Sequence, residues 1–163
     1  MNPLPWSPSW RAWRLDREHY KDTWDSGIGA YKLGGRWNSI GRNVVYASAD
    51  PSTAILEVAV HSGFDVLDTV PHVLTCFEVL DQSLIKVVQR EDVPNPVWLT
   101  SAAASPNQQK FADDLLATHP FVLIQSAVTQ HSWNLLISLD LAQGKYRLVS
   151  QERFGLDTRP IKP

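Results

Sequence analysis

The chain has 163 residues and a mass of 18.3 kDa, which fits one domain and is too short for two of ordinary size. Apolar residues make up 44% and charged residues 20%, a globular balance that argues against a disordered chain. Fifteen basic and 17 acidic residues leave a formal charge of −2, so the chain as a whole does not attract polyanions. We therefore exclude a strongly basic DNA-wrapping protein and predict no direct binding of nucleic acid.

The cysteine content and one long uncharged stretch bear on where the protein resides. A single cysteine, Cys76, suits a reducing cytosol, and no secretory signal is visible, so we predict a cytoplasmic protein. Residues 115–139 carry no Asp, Glu, Lys or Arg and are long enough to cross a bilayer. Their polar side chains, among them His119, Gln125 and Asn134, are costly in lipid. We interpret this stretch as two buried strands and their connection, and we predict no membrane span.

In the first half of the chain, a helix of 12 or so residues has the clearest boundaries. Asp50 can cap it, Pro51 suits its first turn, and Gly63 can end it. The segments before it predict, in order, a strand at residues 10–15, a helical turn within 16–25, a glycine-punctuated loop at 26–35 and a strand at 43–48. The tryptophan-rich start at residues 6–13 is expected to pack on the core, although an interface remains the alternative.

The second half predicts more strands than helices. A second helix opens at Ser105 and runs to about Ala117, after Pro94 and Pro96 break the chain. Strands are predicted at residues 73–80, 84–89, 121–128, 133–139 and 146–150. Many short strands with few helices favour a single α+β domain over residues 1–163, with mixed or antiparallel sheets, a core at about 10–150 and a short C-terminal tail.

Several well-known site motifs are missing from the sequence. Residues 27–32 have lysine where the dinucleotide fingerprint needs its third glycine, and no phosphate loop ending in Gly-Lys-Ser/Thr occurs. One cysteine and five scattered histidines without a His-Glu-x-x-His pair predict no metal site. A Gly-x-Ser-x-Gly elbow is absent too, which argues against that class of hydrolase.

A basic, glycine-rich segment is the first candidate for a binding site. Residues 26–49 contain Lys32, Arg36 and Arg42 but no acidic side chain, and five of the eight glycines fall within residues 27–41. Glycine lets a ligand approach the backbone, and arginine presents a planar fork that suits phosphate oxygens. This segment is either an anion-binding loop or an ordinary exposed turn.

Glu57 is the second candidate, because it is the one charged residue in residues 51–60. A buried carboxylate without a partner is costly, so such a residue usually has a partner or a task. The alternative is a solvated helix face, since Thr53, Glu57 and His61 recur at a spacing of four.

Ser126 and three aromatic residues each have two possible roles. Ser126 ends an apolar run, where its hydroxyl can hold a ligand or bond to a neighbouring carbonyl. Tyr31, Trp37 and Tyr46 can stack on a flat ring or fill the core.

Together these segments resemble the RES-domain toxins of bacterial toxin–antitoxin pairs, a family named for an arginine, a glutamate and a serine. The matching stretches are residues 29–38, 41–46 and 54–61, which read GAYKLGGRWN, GRNVVY and AILEVAVH. Ser126 and Asn134 resemble the C-terminal block of the family, and residues 13–15 resemble the segment with its opening arginine.

The resemblance implies an ADP-ribosyltransferase-like fold and a type II toxin that takes NAD⁺ as its substrate, without a metal. Family members cleave the nicotinamide–ribose bond by hydrolysis or phosphorolysis, and some transfer ADP-ribose to a protein. Their partner is a helix-turn-helix antitoxin of the Xre type that covers the active site. A homodimer remains open.

The resemblance also suggests roles for individual residues. Bond cleavage passes through an oxocarbenium-like transition state, whose positive charge the Glu57 carboxylate would stabilise. Arg36 and Arg14 would hold pyrophosphate or ribose, Tyr46 would orient the nicotinamide or its ribose, and Ser126 would contact the carboxamide or the ribose hydroxyls. We therefore predict catalytic roles for Glu57, Arg36, Tyr46 and Ser126, and NAD⁺-binding roles for Arg14, Tyr31, Arg36, Trp37, Tyr46 and Ser126.

The sequence leaves three other functions open. The same first bond cleavage serves a protein ADP-ribosyltransferase that acts on a housekeeping enzyme, and the sequence does not separate the two. A non-catalytic module that binds a nucleotide or single-stranded RNA would use the basic loop and the aromatic residues. A toxin nuclease has little support, because the sequence offers no histidine–acid cluster and no metal site.

Overall fold

Seven strands form one sheet in the computed structural model, which describes residues 9–100 and 102–155. The strands are β1 (Trp10–Arg17), β2 (Val44–Ser48), β3 (His72–Val79), β4 (Ile85–Val87), β5 (Phe121–Gln125), β6 (Trp133–Ser138) and β7 (Tyr146–Phe154). Their order across the sheet is β4-β5-β6-β2-β1-β3-β7. The pair β4–β5 is parallel and the other pairs are antiparallel, so the sheet is mixed, as predicted.

Within the described residues, five short helices connect the strands. They are α1 (Ile28–Leu33), α2 (Pro51–Ser62), α3 (Phe64–Thr69), α4 (Pro106–Leu116) and α5 (Leu139–Ala142). Turns of 3₁₀ helix lie at Glu18–Thr23, Gln82–Leu84, Arg90–Asp92 and Pro96–Leu99. The two longest helices begin at the caps that the sequence predicts, since Asp50 accepts a hydrogen bond from the Thr53 amide and Ser105 accepts one from the Gln108 amide.

The sheet consists of two half-sheets joined by a weak seam. Within the described residues, β1 pairs with β2 at one position, Trp13 opposite Ser48, whereas β1 pairs with β3 through eight residues. One half-sheet is therefore β4-β5-β6-β2 and the other is β1-β3-β7. The Arg14 side chain reaches across the seam, where its Nη1 donates a hydrogen bond to the Tyr46 carbonyl at 2.8 Å.

Buried side chains divide differently on the two faces of the sheet. One face carries a continuous cluster that includes Phe77, Phe121 and Leu135 and crosses both half-sheets. On the opposite face the core is split in two. One cluster lies under α4 around Trp37, Leu116 and Leu136, and the other lies under α2 and α3 around Leu15, Ala59, Leu67 and Leu74. The gap between these two clusters lies at the seam.

The predicted α+β class and most of the predicted elements are confirmed, with differences at their edges. The expected loop at residues 26–35 contains α1, a single helical turn and a half between Gly27 and Gly34, which have φ values of 65° and 70°. The strand predicted at residues 121–128 ends at Gln125, because the Ser126 hydroxyl accepts hydrogen bonds from the Val128 and Thr129 amides and starts a turn.

At the end of the described chain, β7 runs to Phe154 because β3 offers pairing partners along its whole length. Residues 115–139 do contain two buried strands, β5 and β6, as interpreted. None of the helices within the described part of the chain has the length and apolar character of a bilayer span. The predicted packing of residues 6–8 and the C-terminal tail from residue 156 onward lie outside the described residues.

Candidate active site

A cavity of about 570 Å³ opens at the seam between the half-sheets. Arg14 from β1, Tyr46 and Ser48 from β2, and Asn134 from β6 line its sheet side. Helix α2 contributes Glu57 and His61, and the segment between α1 and β2 contributes Gly35, Arg36 and Trp37. Three strands, one helix and one connecting segment thus bring polar side chains to one concave surface, which is the usual arrangement of a small-molecule site.

The Glu57 carboxylate is held in one orientation by two hydrogen bonds. Its Oε1 accepts from the Ser126 hydroxyl at 2.9 Å and from the Asn134 side-chain amide at 2.7 Å. Asn134 is itself fixed, because its Oδ1 accepts from the Ser48 hydroxyl at 3.1 Å. Within residues 9–100 and 102–155, Oε2 has no hydrogen-bond partner. A half-buried carboxylate is therefore oriented through one oxygen while the other stays available to a ligand.

Ser126 takes part in this arrangement from outside the cavity. The residue is fully buried, and its hydroxyl donates to Glu57 while it accepts from the Val128 and Thr129 amides at 3.1 and 3.2 Å. It is not among the residues that line the cavity. Neither of the two readings from the sequence, a ligand contact or a bond to a carbonyl, describes this geometry. The hydroxyl instead connects a tight turn to the Glu57 carboxylate.

The start of α2 is anchored to the segment before β6. The Asp50 carboxylate accepts hydrogen bonds from the Thr53 amide at 2.8 Å, the Thr53 hydroxyl at 2.8 Å and the Ser132 hydroxyl at 2.6 Å. Burial raises the pKa of Asp50, but the hydrogen bonds from Ser132 and Thr53 outweigh it and hold the pKa below its usual value. Because Ser132 lies two residues before Asn134, this anchor fixes Glu57 relative to the amide that contacts it.

The Tyr46 hydroxyl fixes the glycine-rich segment on β2. It donates to Asn38 Oδ1 at 2.6 Å and accepts from the Trp37 amide at 3.0 Å. Burial raises the pKa of Tyr46 well above its ordinary value, so the phenol stays neutral. Gly35 permits this packing, since a Cβ atom there would lie 2.6 Å from the Tyr46 hydroxyl oxygen.

The arginines of the site are already engaged by the protein. Arg36 Nη1 donates to the Thr100 and Ala102 carbonyls at 2.8 and 3.0 Å, so this side chain holds the segment before α4. Arg14 bonds both the Tyr46 carbonyl and Asp16, with Nη2 2.9 Å from Asp16 Oδ1. Each guanidinium nonetheless lines the cavity and has further N–H groups for an anion.

The segment with Lys32, Arg36 and Arg42 is less basic in the fold than in the sequence. Arg42 Nε lies 3.2 Å from Asp113 Oδ1, a carboxylate that α4 supplies. Asp113 also accepts hydrogen bonds from the Ser39 amide at 3.2 Å and from its hydroxyl. The positive charge of residues 26–49 is therefore partly neutralised by Asp113, an acid that lies far from this segment in the sequence.

Of the two remaining predicted site residues, one lies at the cavity and one does not. Trp37 lines the cavity and is 1% exposed, so it serves the core as well. Tyr31 lies on α1, is 44% exposed and is absent from the cavity lining, and its role as a ligand contact stays a prediction. The sequence assigns no role to Asn134 and places His61 on the same helix face as Glu57. No local pattern reveals that Asn134 meets Glu57.

No group of three or more His, Cys, Asp or Glu side chains comes together as a metal site within the part of the chain that the structure describes. The chemistry of the cavity is instead that of one oriented carboxylate, two guanidinium groups, a neutral phenol and an imidazole. This set suits an anionic ligand on which positive charge develops during a reaction.

Comparisons with known proteins agree with the resemblance seen in the sequence. Residues 11–157 match the RES domain family. A protein named Toxin Res from Photorhabdus laumondii is 28% identical over 158 residues, which cover 92% of this chain and 96% of the relative. A protein of the same name from Pseudomonas putida is 30% identical over 150 residues, which cover 90% of this chain and 97% of the relative.

A solved structure supports the fold. A chain in the crystal structure of the M. tuberculosis MbcT–MbcA toxin-antitoxin complex matches with a TM-score of 0.72 at 20% sequence identity. The match covers 90% of this chain and 85% of that chain. At this identity the likeness concerns the fold, and it confirms the predicted α+β, ADP-ribosyltransferase-like architecture.

Proposed function

This chain belongs to the RES domain family, and on that premise we propose that it is the enzymatic toxin of a bacterial type II toxin–antitoxin pair, a single RES domain that degrades NAD⁺ in the cytoplasm. The observation that carries the proposal is the oriented Glu57 carboxylate in a cavity that also holds two arginines. The curated relatives named Toxin Res support the toxin assignment.

In the proposed reaction the nicotinamide–ribose bond breaks, and its electron pair passes to the nicotinamide nitrogen. Positive charge then develops at the anomeric carbon and the ring oxygen of the ribose, as in glycoside hydrolysis. The free Oε2 of Glu57 would face this charge, while Ser126 and Asn134 hold Oε1. A carboxylate fixed in advance needs no reorientation during the reaction, which is the source of its catalytic effect.

The remaining cavity residues would bind the rest of the dinucleotide. Arg14 and Arg36 would place charge-assisted hydrogen bonds on the pyrophosphate or ribose. Tyr46 and Trp37 would offer aromatic surface to the nicotinamide end, with Tyr31 as a further contact. The position of Ser126 behind Glu57 supports a positioning role rather than direct contact with the carboxamide. No metal is needed, because nicotinamide leaves as a neutral molecule.

We also propose a protein partner, a helix-turn-helix antitoxin of the Xre type that covers the cavity. The structural neighbour was solved as a toxin–antitoxin complex, which supports a partner of this kind. Exposed apolar side chains near the cavity suit protein contact, since Val60 lines it with 56% exposure and Leu33, next to cavity residue Gly34, is 82% exposed. Whether two copies of the chain associate stays a prediction.

The test is the release of nicotinamide from NAD⁺ by the purified wild-type chain and by Glu57→Gln. We expect the wild type to release nicotinamide and the variant to be slower by about 100-fold or more, the usual effect of removing a group that stabilises transition-state charge. Glu91→Gln, at an exposed carboxylate in the turn Arg90–Asp92, is the matched control and should equal wild type.

The products of the same assay distinguish the acceptors. Free ADP-ribose indicates water, ADP-ribose phosphate indicates inorganic phosphate, and a labelled protein band in a lysate indicates a protein acceptor. A folded wild-type chain that releases no nicotinamide under any of these conditions would refute the proposal.

A further inference from the structure

His61 is a titratable side chain of the cavity that the proposed reaction does not yet use. It lies in the last turn of α2, four residues after Glu57, and lines the same cavity. Residues four apart on a helix share a face, with Cβ atoms about 5–6 Å apart. The imidazole and the carboxylate are therefore neighbours on the wall that faces the ligand.

The hydrogen bonding of His61 fixes its tautomer. Nδ1 lies 2.7 Å from the backbone carbonyl oxygen of Glu57. A carbonyl oxygen accepts hydrogen bonds but cannot donate one, so Nδ1 carries the hydrogen. In the neutral ring the lone pair is then on Nε2, which has no hydrogen-bond partner among residues 9–100 and 102–155. His61 thus presents a proton acceptor whose ring is held by its own helix.

Charged side chains from several elements lie around this ring. The Glu57 carboxylate lies on the same helix face, one turn before His61. Other charged groups lie on the elements around it: Arg14 on β1, Arg36 before β2, and the exposed Asp65 and Asp68 on α3. Both arginines donate to backbone carbonyl oxygens, and Arg14 also pairs with Asp16.

We propose that His61 is a further catalytic residue, the general base that deprotonates the water molecule that attacks the ribose; this inference rests on the proposed function. The water oxygen forms a bond to the anomeric carbon as the bond to nicotinamide breaks. The electron pair of the broken bond goes to the nicotinamide nitrogen, and the water proton goes to His61 Nε2. The products are neutral nicotinamide, ADP-ribose and a proton that the imidazolium later releases to solvent.

The test compares NAD⁺ hydrolysis by the wild type, His61→Gln and His61→Ala from about pH 5.5 to 8.5, the range in which imidazoles titrate. We expect His61→Gln to be slower by about 100-fold at pH 8, the usual contribution of a general base. The wild-type rate should fall toward acid pH, and this fall should disappear in His61→Gln. Added imidazole should restore part of the rate of His61→Ala, which a purely structural role would not allow.

His119→Gln is the matched control, because His119 Nδ1 also lies near a carbonyl oxygen four residues earlier, at 3.0 Å from Leu115, but outside the cavity. It should keep the wild-type rate and pH profile. Glu57→Gln and the double variant Glu57→Gln/His61→Gln should bind NAD⁺ with equal affinity. Equal affinity would show that His61 acts on the chemical step and not on binding. The inference would be wrong if His61→Gln hydrolysed NAD⁺ at the wild-type rate. It would also be wrong if cleavage depended on inorganic phosphate and not on His61. Either result would leave the proposed function standing. A wild type that releases no nicotinamide would overturn the proposed function and the inference together.

Discussion

The side-chain amide of Asn134 makes the shorter of the two hydrogen bonds to the Glu57 carboxylate. An amide in this place satisfies two groups at once, since it donates to Glu57 and accepts from Ser48. A carboxylate of the same shape could still accept from Ser48, but when ionised it could not donate to Glu57.

We predict that Asn134→Asp impairs NAD⁺ cleavage although the side chain keeps its size. Two carboxylates within 2.7 Å of each other cannot both be ionised at low cost, so Glu57 would share a proton or turn away. Loss of this orientation should slow nicotinamide release by about 10- to 100-fold at neutral pH. Asn107→Asp, an exposed change in the first turn of α4, should match wild type, and equal rates in both variants would contradict the prediction.

At the scale of elements, the glycines between the start of α1 and β2 differ in the room they leave for a side chain. A Cβ at Gly35 would meet the Tyr46 hydroxyl at 2.6 Å and Asn38 Oδ1 at 2.8 Å. At Gly29, inside α1, a Cβ would have no neighbour within 4 Å, and the backbone is helical. The same substitution should therefore have opposite effects at two positions that are six residues apart.

We predict that Gly35→Ala lowers the free energy of unfolding by about 1–3 kcal/mol, because it displaces the buried Tyr46 hydroxyl from its two partners. Gly29→Ala should raise it by about 0.5–1 kcal/mol, because alanine loses less backbone entropy in a helix than glycine does. Urea denaturation of both variants measures the two signs. A neutral Gly35→Ala would show that the Tyr46 contacts contribute little.

Asp50, the cap of α2, predicts how the stability of the protein depends on pH. The pKa of Asp50 is lower in the folded chain than in the unfolded chain, where it is about 4. The ionised carboxylate therefore stabilises the fold at pH values above the unfolded pKa. This contribution is lost as the pH falls through the folded pKa. Asp50→Asn keeps a capping oxygen but removes the charge. The wild type should be more stable than this variant by about 1 kcal/mol near pH 7, and the difference should shrink below about pH 4.

Unfolding of both proteins in urea at several pH values provides the measurement. Asp22→Asn, at an exposed aspartate in the turn Glu18–Thr23, serves as control and should show no such difference. A difference that grows on acidification would contradict the assigned direction.

How far the sequence predicts each element depends on where its determinants lie. Helix α2 is predicted to the residue, because Asp50, Pro51 and Gly63 act on their immediate neighbours. Helix α1 is missed, because glycines at its ends and within it mask a six-residue helix. The last residues of β7 are missed as well, since exposed polar side chains such as Glu152 become strand by pairing with β3.

The candidate site shows the same division. Arg36 and Glu57 stand out in the sequence by charge. Tyr46 and Ser126 are candidates that also have a structural explanation, and the resemblance adds Arg14. What the sequence does not contain is the geometry, because Asn134 reaches Glu57 across 77 positions and Ser126 reaches it across 69. Such contacts follow from the pairing of β2 with β6 and the placement of α2 above them, and a local pattern cannot encode them.

For the molecule as a whole, a ligand in the cavity would contact both half-sheets. It would touch Arg14 on one side of the seam and Tyr46 and Asn134 on the other, where β1 and β2 share one residue pair. A ligand that bridges the seam stabilises the folded chain by binding it and not the unfolded chain.

We predict that NAD⁺ raises the melting temperature of Glu57→Gln, a variant chosen so that the dinucleotide is not consumed. At 100 times its dissociation constant, a ligand adds about 2.7 kcal/mol, which for a chain of this size corresponds to about 5–10 °C. Thermal denaturation with and without NAD⁺ measures the rise, and ADP-ribose shows how much of it needs the nicotinamide ring. An unchanged melting temperature at millimolar NAD⁺ would contradict binding in the cavity.

The order of strands in the sheet also sets the order in which a ribosome can complete it. The half-sheet that carries Arg14 contains β1, β3 and β7, which are the first, third and last strands to be made. At about 5–20 residues per second, the segment between the ends of β3 and β7 takes about 4–15 s to synthesise. Glu57, Asn134 and their hydrogen bonds can form before this time ends, but β3 still lacks its outer neighbour. A chain released before Tyr146 would thus carry the carboxylate and its donors without the strand that completes the half-sheet behind Arg14.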